Sequence, residues 1–298
     1  MDSFFQEQLI DLDECVINAL NLFAKQRPVK LNIGKFKRPL VVGSGNAAAT
    51  GRIIFEKSDA VFADESNFEK KLKYIKEIDG VILISASGGK HAPIIAKTAK
   101  KYKKEVLLLT NNEKALAKEY ADKTMVFPKN TEPYTYNVST YMGFILSQTG
   151  EDPEKILDFI KTKIDKMKLP DFRQFEKYFI VVPAEFEGII RMFQVKFMEL
   201  FGRRIARDIE TTEGMKHATT VVPSKELFIV FGAENNYGKH NFYVPLPKNA
   251  GYGAMMAIGY YIIGKLQKAK PPWFKQNIAA YTKRASKTFG QEIKPVVD

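Results

Sequence analysis

Two unbroken apolar quartets, Val81-Ile82-Leu83-Ile84 and Val106-Leu107-Leu108-Leu109, constrain the fold of this 298-residue chain more than any other feature. A strand with one face in water alternates polar and apolar residues. A run with no polar position reads as a strand covered on both faces, as in a parallel sheet sandwiched by helices. Between the quartets, Pro93 to Lys103 has helical spacing, with lysines on the outer face. The alternation extends in both directions. Pro39 to Val42 and Ala60 to Ala63 read as strands, and Met125 to Phe127 as a short edge strand. Ala47 to Phe55, Asn67 to Lys76, Glu113 to Tyr120 and Tyr136 to Leu146 read as helices. This order predicts an α/β fold around a parallel sheet.

The apolar pattern lapses around Gln148-Thr149-Gly150-Glu151-Asp152-Pro153, which suggests domains at 1–150 and 151–298. Two short polar helices follow. The pattern then resumes with strand Tyr178–Val182, a long helix Ala184–Phe201, strands at Ile205–Ile209, Leu227–Phe231 and Phe242–Pro245, and helix Gly253–Leu266. Lys270-Pro271-Pro272 is a stiff break, and a basic tail runs from Trp273 to the end. At the other terminus Leu9, Leu12, Val16, Leu20 and Phe23 mark a leading helix, ended by Arg27-Pro28.

Apolar residues make up 45% of the chain, enough for a core and too many for a disordered protein. No run of 18 apolar residues suggests a membrane span, and the acidic start, Met1-Asp2-Ser3-Phe4-Phe5-Gln6-Glu7, does not resemble a secretory signal. The lone Cys15 excludes an intramolecular disulfide framework and a multi-cysteine metal site. A cytoplasmic protein is the expectation. The net charge is +12, and residues 251–298 carry eight Lys/Arg against two acids. Such a surface attracts anions, yet the cations are spread along helical spacing and read mostly as a solvated face. No nucleic-acid-binding motif accompanies them.

Two glycine-rich turns carry the chemistry. Gly43-Ser44-Gly45-Asn46 follows the first strand and opens a helix, where backbone N–H groups and the helix dipole suit an anion. A dinucleotide fingerprint wants a third glycine where Ala48 stands, which argues against NAD. Ser85-Ala86-Ser87-Gly88-Gly89-Lys90-His91 also follows a buried strand and precedes a helix. Its two hydroxyls, two glycines and lysine make a cup of donors for a phosphate. The bland alternative is helix capping before Ala92-Pro93. Two such loops on one sheet favour anion binding.

These residues resemble the sugar isomerase (SIS) domain family, whose signature Ser-x-Ser-Gly-x-Thr is matched by Ser85, Ser87 and Gly88, with Lys90 where threonine is usual. Ala99-Lys100 matches the downstream helix, and Val138-Ser139-Thr140 the hydroxyl-rich helix start after the last strand. In the second half, Lys196 … Glu199 … Glu213-Gly214-Met215-Lys216-His217 is similar to a stretch of two-SIS phosphosugar isomerases, with Ala218-Thr219 replacing the usual Gly-Pro. Such enzymes include bifunctional phosphoglucose/phosphomannose isomerases and the isomerase half of glucosamine-6-phosphate synthases. Pro183-Ala184-Glu185 replaces a glycine-rich loop, so the second domain has lost its own phosphate cup. The resemblance implies two flavodoxin-like SIS domains, a homodimer whose partner completes the site, a phosphorylated sugar as ligand, and no metal or redox cofactor. Nucleic acid and membrane are not expected partners.

By resemblance, Gly43, Ser44, Asn46, Ser85, Ser87, Gly88, Lys90, Ser139 and Thr140 hold the phosphate. Glu199 moves the proton between C1 and C2, His217 opens the sugar ring, and Lys294, a few residues from the end, reaches the sugar. Helix phase sets Glu199 off the main apolar stripe and beside Met192 and Val195, a partly apolar setting that would suit a base. Pairing with Lys196 or Arg203 is the alternative. His217 reads equally as a structural histidine, His91 lies in the cup, and His240 reads as surface. The reaction implied is aldose–ketose isomerisation through an enediol. A deglycase acting on a phosphorylated sugar–amine adduct and a non-catalytic sugar-phosphate sensor remain open.

Overall fold

The computed structural model describes residues 9–31, 33, 36–220, 225–290 and 292–297. The chain forms two compact units. The first holds Gln26–Lys129 and Thr140–Gly150; the second holds the described residues of Met1–Lys25, Asn130–Ser139 and Glu151–Asp298. The leading helix, α1 (Leu12–Lys25), therefore belongs to the second unit rather than to the first, to which a cut at 150/151 would assign it.

The first unit alternates β1 (Pro39–Val42), α2 (Asn46–Ile54), β2 (Val61–Ala63), α3 (Phe68–Tyr74), β3 (Gly80–Ile84), α4 (His91–Lys101), β4 (Glu105–Thr110) and β5 (Lys123–Val126). It ends with α5 (Val138–Thr149), whose residues from Thr140 onward belong here. All strands are parallel, in the order β2-β1-β3-β4-β5. That is the flavodoxin-like order, with its switch point between β1 and β3. The apolar quartets are the central strands, and Val81, Leu83, Val106 and Leu108 enter one core with Ala96 and Ala99 of α4. The helix expected over Glu113–Tyr120 is only a 3-10 turn, Leu116–Tyr120. The Ala117 N–H donates to Gly88 O at 3.0 Å, so the donor an α-helix needs is spent on the neighbouring loop.

In the second unit, β6 (Glu132–Pro133) precedes α6 (Pro153–Phe159), and a π turn, Ile160–Ile164, continues that helix. The expected polar helices in fact bury Ile156, Leu157, Ile160 and Ile164. Next come β7 (Lys177–Val182), α7 (Ile190–Phe201), β8 (Ala206–Thr211), β9 (Leu227–Phe231), β10 (His240–Val244) and α8 (Tyr252–Ala269). The sheet is parallel in the order β8-β7-β9-β10, the first four places of the same topology. Helix α7 is shorter than expected. Residues Ala184–Ile189 form a 3-10 turn in which Phe186 leaves helical geometry.

The basic tail is helical, in keeping with cations at helical spacing, but it also buries apolar residues such as Phe274 and Ile278. It forms α9 (Trp273–Gln276), α10 (Ile278–Phe289) and β11 (Val296–Val297), and β11 pairs antiparallel with β6. Aromatic packing anchors it: Phe274 meets Tyr136 at 6.1 Å and Tyr281 at 5.5 Å between ring centroids. His240 opens β10, its ring 5.2 Å from that of Phe175, so it is a half-buried strand residue rather than a surface one. Among the described residues, no helix is long and apolar enough to cross a membrane.

Candidate functional site

The turn between β3 and α4 is clamped from the end of β4. Ser85 N–H donates to Leu109 O at 3.0 Å. Ala86 O accepts from Asn111 N at 3.0 Å and from Thr110 Oγ1 at 2.9 Å. Asn112 Nδ2 donates to Ser87 O at 3.0 Å. Gly88 lies at φ 61°, and a Cβ there would stand 2.3 Å from Ala115 Cβ, so both backbone and packing demand glycine. The Ser85 and Ser87 hydroxyl oxygens accept from Gly88 N (3.2 Å) and Gly89 N (3.3 Å). With its oxygen so engaged, each hydroxyl keeps its one hydrogen to donate outward. Ser85 is half-buried, Ser87 and Lys90 are exposed, and Lys90 enters α4 at φ 49°. Partial desolvation lowers the Lys90 pKa below the usual lysine value.

The Gly43–Asn46 turn differs in chemistry. Gly43 N–H donates to Ala63 O at 3.3 Å. The Ser44 hydroxyl donates to the Glu65 carboxylate, and Asn46, only 5% exposed, has an amide oxygen with no hydrogen-bond partner among the described residues. The Glu65 carboxylate and the Asn46 oxygen bring acceptors to this turn that the Ser85–Lys90 turn lacks. Glu65 was not legible as a site residue. It follows β2, and only the parallel pairing of β1 with β2 brings it to Ser44.

Ser139 and Thr140 are buried, at 1% and 2% exposure. Ser139 Oγ accepts from Asn130 N at 2.9 Å. The start of α5, where an anion was expected, holds the chain's own Glu132 carboxylate, which accepts from Val138 N (2.6 Å) and Ser139 N (2.7 Å). Burial raises the Glu132 pKa against those hydrogen bonds.

In the second unit α7 places Lys196 and Glu199 one turn apart. The Lys196 ammonium is fully buried. It donates to Thr135 O (2.6 Å), Tyr136 O (2.7 Å) and Glu199 Oε2 (2.8 Å), and lies 5.5 Å from the Tyr260 ring centroid. The pairing weighed as an alternative for Glu199 is therefore present, and the Glu199 side chain is 30% exposed. Tyr134 and Tyr281 lie within reach of the same carboxylate's charge. Burial raises both phenol pKa values, and the Glu199 charge adds to it. Tyr134 N–H also donates to Pro295 O at 3.0 Å, so the tail carrying the exposed Lys294 is fastened beside the residue that senses Glu199. His217 is exposed on a 3-10 turn, Gly214–Thr220, and no described contact joins it to Glu199. Among the described residues, no three His, Cys, Asp or Glu side chains cluster as a metal cage.

No family model matches the chain, and no curated protein matches it in sequence. Solved structures do. A Clostridium difficile 630 protein provisionally described as a phosphosugar isomerase superposes with a TM-score of 0.63 at 12% identity, covering 95% of this chain and 98% of its own. Glucosamine-6-phosphate deaminase from Thermotoga maritima gives 0.61 at 15% identity, covering 87% and 92%. Tagatose-6-phosphate ketose/aldose isomerase from Escherichia coli gives 0.58 at 12%, covering 87% and 91%. The chain has their fold, two units each built on a parallel sheet between helices.

Proposed function

We propose that this two-SIS-domain chain is a phosphosugar isomerase that interconverts an aldose and a ketose phosphate through an enediol. The observation that carries the reading is the Ser85–Lys90 turn. It offers two outward hydroxyl donors and an ammonium at the carboxyl end of a central strand, where ligands of this sheet order bind. The names of the structural neighbours support the same substrate class.

In this reading Ser85, Ser87, Gly88 and Lys90 hold the phosphate. The buried Ser139 and Thr140 support the start of α5 rather than touch the ligand. Glu199 removes the proton from C2 of the aldose and returns it to C1, while a proton passes between O1 and O2, so the reaction is balanced without a co-reactant. Lys196 holds the Glu199 carboxylate at 2.8 Å. His217 assists ring opening and Lys294 contacts the sugar. A homodimer in the cytoplasm is part of the proposal.

The test is isotope exchange. Incubated with phosphorylated hexoses, pentoses and heptoses in heavy water, the protein is expected to place deuterium at C2 of one aldose. Glu199→Gln keeps the shape but cannot take the proton, and is expected to abolish exchange while binding persists. Ser87→Ala is expected to weaken sugar-phosphate binding by about 1–3 kcal/mol, read by calorimetry. Binding without exchange in the parent protein, across all three sugar sizes, would overturn the isomerase and leave a sensor.

A further inference from the structure

The second sheet ends in a cleft of about 810 Å³ that contains none of the residues assigned to the isomerase. That volume is in the range that takes small ligands. The cleft opens at the carboxyl ends of β7, β8 and β9, through Pro183, Thr212 and Gly232, and the loop after β10 adds Asn249. This is the place in a doubly wound sheet where ligands bind.

Its chemistry is the reverse of a phosphate cup. The first residue past β7 is Pro183, which has no N–H to give an anion. Glu185 and Glu213 line the cleft against one cation, Lys216, whose ammonium is held by Glu213 at 2.5 Å. Among the described residues, Glu185 makes no ion pair, so the lining carries one negative charge in excess. Asn235, Asn236 and Asn249 supply side-chain amides, each able both to donate and to accept. The Asn236 oxygen already accepts from the Tyr243 hydroxyl, which leaves its NH₂ as the group able to donate. Phe186 and Tyr237 give apolar faces.

We propose that this cleft binds a small polyhydroxylated amine without a phosphate, its ammonium on Glu185 and its hydroxyls on the asparagine amides. The site is independent of the phosphate turn in the first unit.

The full-length protein can be titrated calorimetrically with three probes: glucosamine, glucose and glucose 6-phosphate. Glucosamine is expected to bind, and glucose, lacking the charge, roughly tenfold more weakly. Glu185→Gln changes an exposed side chain and is expected to weaken glucosamine roughly tenfold or more, with glucose 6-phosphate unaffected. Asn249→Ala is expected to weaken glucosamine and glucose alike. Ser87→Ala should leave glucosamine binding intact. The proposal falls if glucosamine does not bind, if glucose 6-phosphate displaces it, or if Glu185→Gln leaves its affinity unchanged. Failure of the phosphate reading would appear separately, as no glucose 6-phosphate binding in a protein that still binds glucosamine.

Discussion

The two sheets share a strand order, yet the Ser85–Lys90 turn of the first unit and the helix starts packed in the second satisfy their polar groups in different ways. In the first unit the Ser85–Lys90 turn closes on itself only partly, leaving the Ser85 and Ser87 hydroxyl hydrogens to donate. In the second unit the chain supplies its own counter-charges. Glu151 takes the N–H groups of Gly251, Gly253 and Ala254 at 2.8, 2.6 and 3.0 Å, filling the start of α8. Glu132 does the same at Val138 and Ser139, and Lys196 fills carbonyls at Thr135 and Tyr136. A helix N-terminus is an anion site whichever anion arrives first. Where the chain's own carboxylate occupies it, the position contributes stability instead of binding. The comparison teaches that a shared topology places the site, while the neighbouring side chains decide whether it stays open.

Breaking the self-satisfied side has the largest expected effect. Lys196→Met removes a fully buried ammonium and leaves two carbonyls and Glu199 without it. A loss of about 3 kcal/mol or more is expected, read as a lower denaturant midpoint. A shift below about 1 kcal/mol would mean water replaces the ammonium easily, and the contrast between the units would be smaller than drawn.

The open side is sharpened by a pair of glycines. Gly88→Ala meets a left-handed backbone and a 2.3 Å approach to Ala115 Cβ, whereas Gly45, also left-handed at φ 54°, has nothing within 4 Å. Gly88→Ala is expected to cost about 2–3 kcal/mol and to abolish sugar-phosphate binding, Gly45→Ala about 1 kcal/mol with binding kept. Thermal unfolding and calorimetry on the two variants separate the packing part from the backbone part. Equal costs would show that the turn tolerates movement, against the rigid phosphate cup proposed for it.

The smallest effect is the most direct exchange of one behaviour for the other. Glu151→Ala empties the start of α8 and is expected to cost about 1–2 kcal/mol in low-salt buffer. Added sulfate should restore part of that stability, because the freed N–H groups can take an external anion. Stability indifferent to sulfate would show that the position is shaped for Glu151 alone.

Much of the fold was legible. The quartets at Val81–Ile84 and Val106–Leu109 had to be central parallel strands, since no other common setting buries both faces of so short a run. The Ser85–Lys90 turn was legible too, because a glycine pair after a buried strand states its geometry locally. The packing of the basic tail was less legible, because its lysines and arginines surround an anchoring aromatic, Phe274, whose partner Tyr136 lies far away in the chain. Lys196 could be read as a partner for Glu199, but not as fully buried, since its two carbonyl acceptors sit some 60 residues earlier in the sequence. Likewise, nothing local announces that Glu65 meets Ser44, or that Glu132 and Glu151 fill helix starts. Local patterns of apolarity and glycine determined the strands, their order of appearance and the open turn, because those depend on neighbours in the chain. Which charges are spent inside the protein and which remain for a ligand was decided only by tertiary packing, because a buried charge is stable only beside partners that the fold itself must deliver.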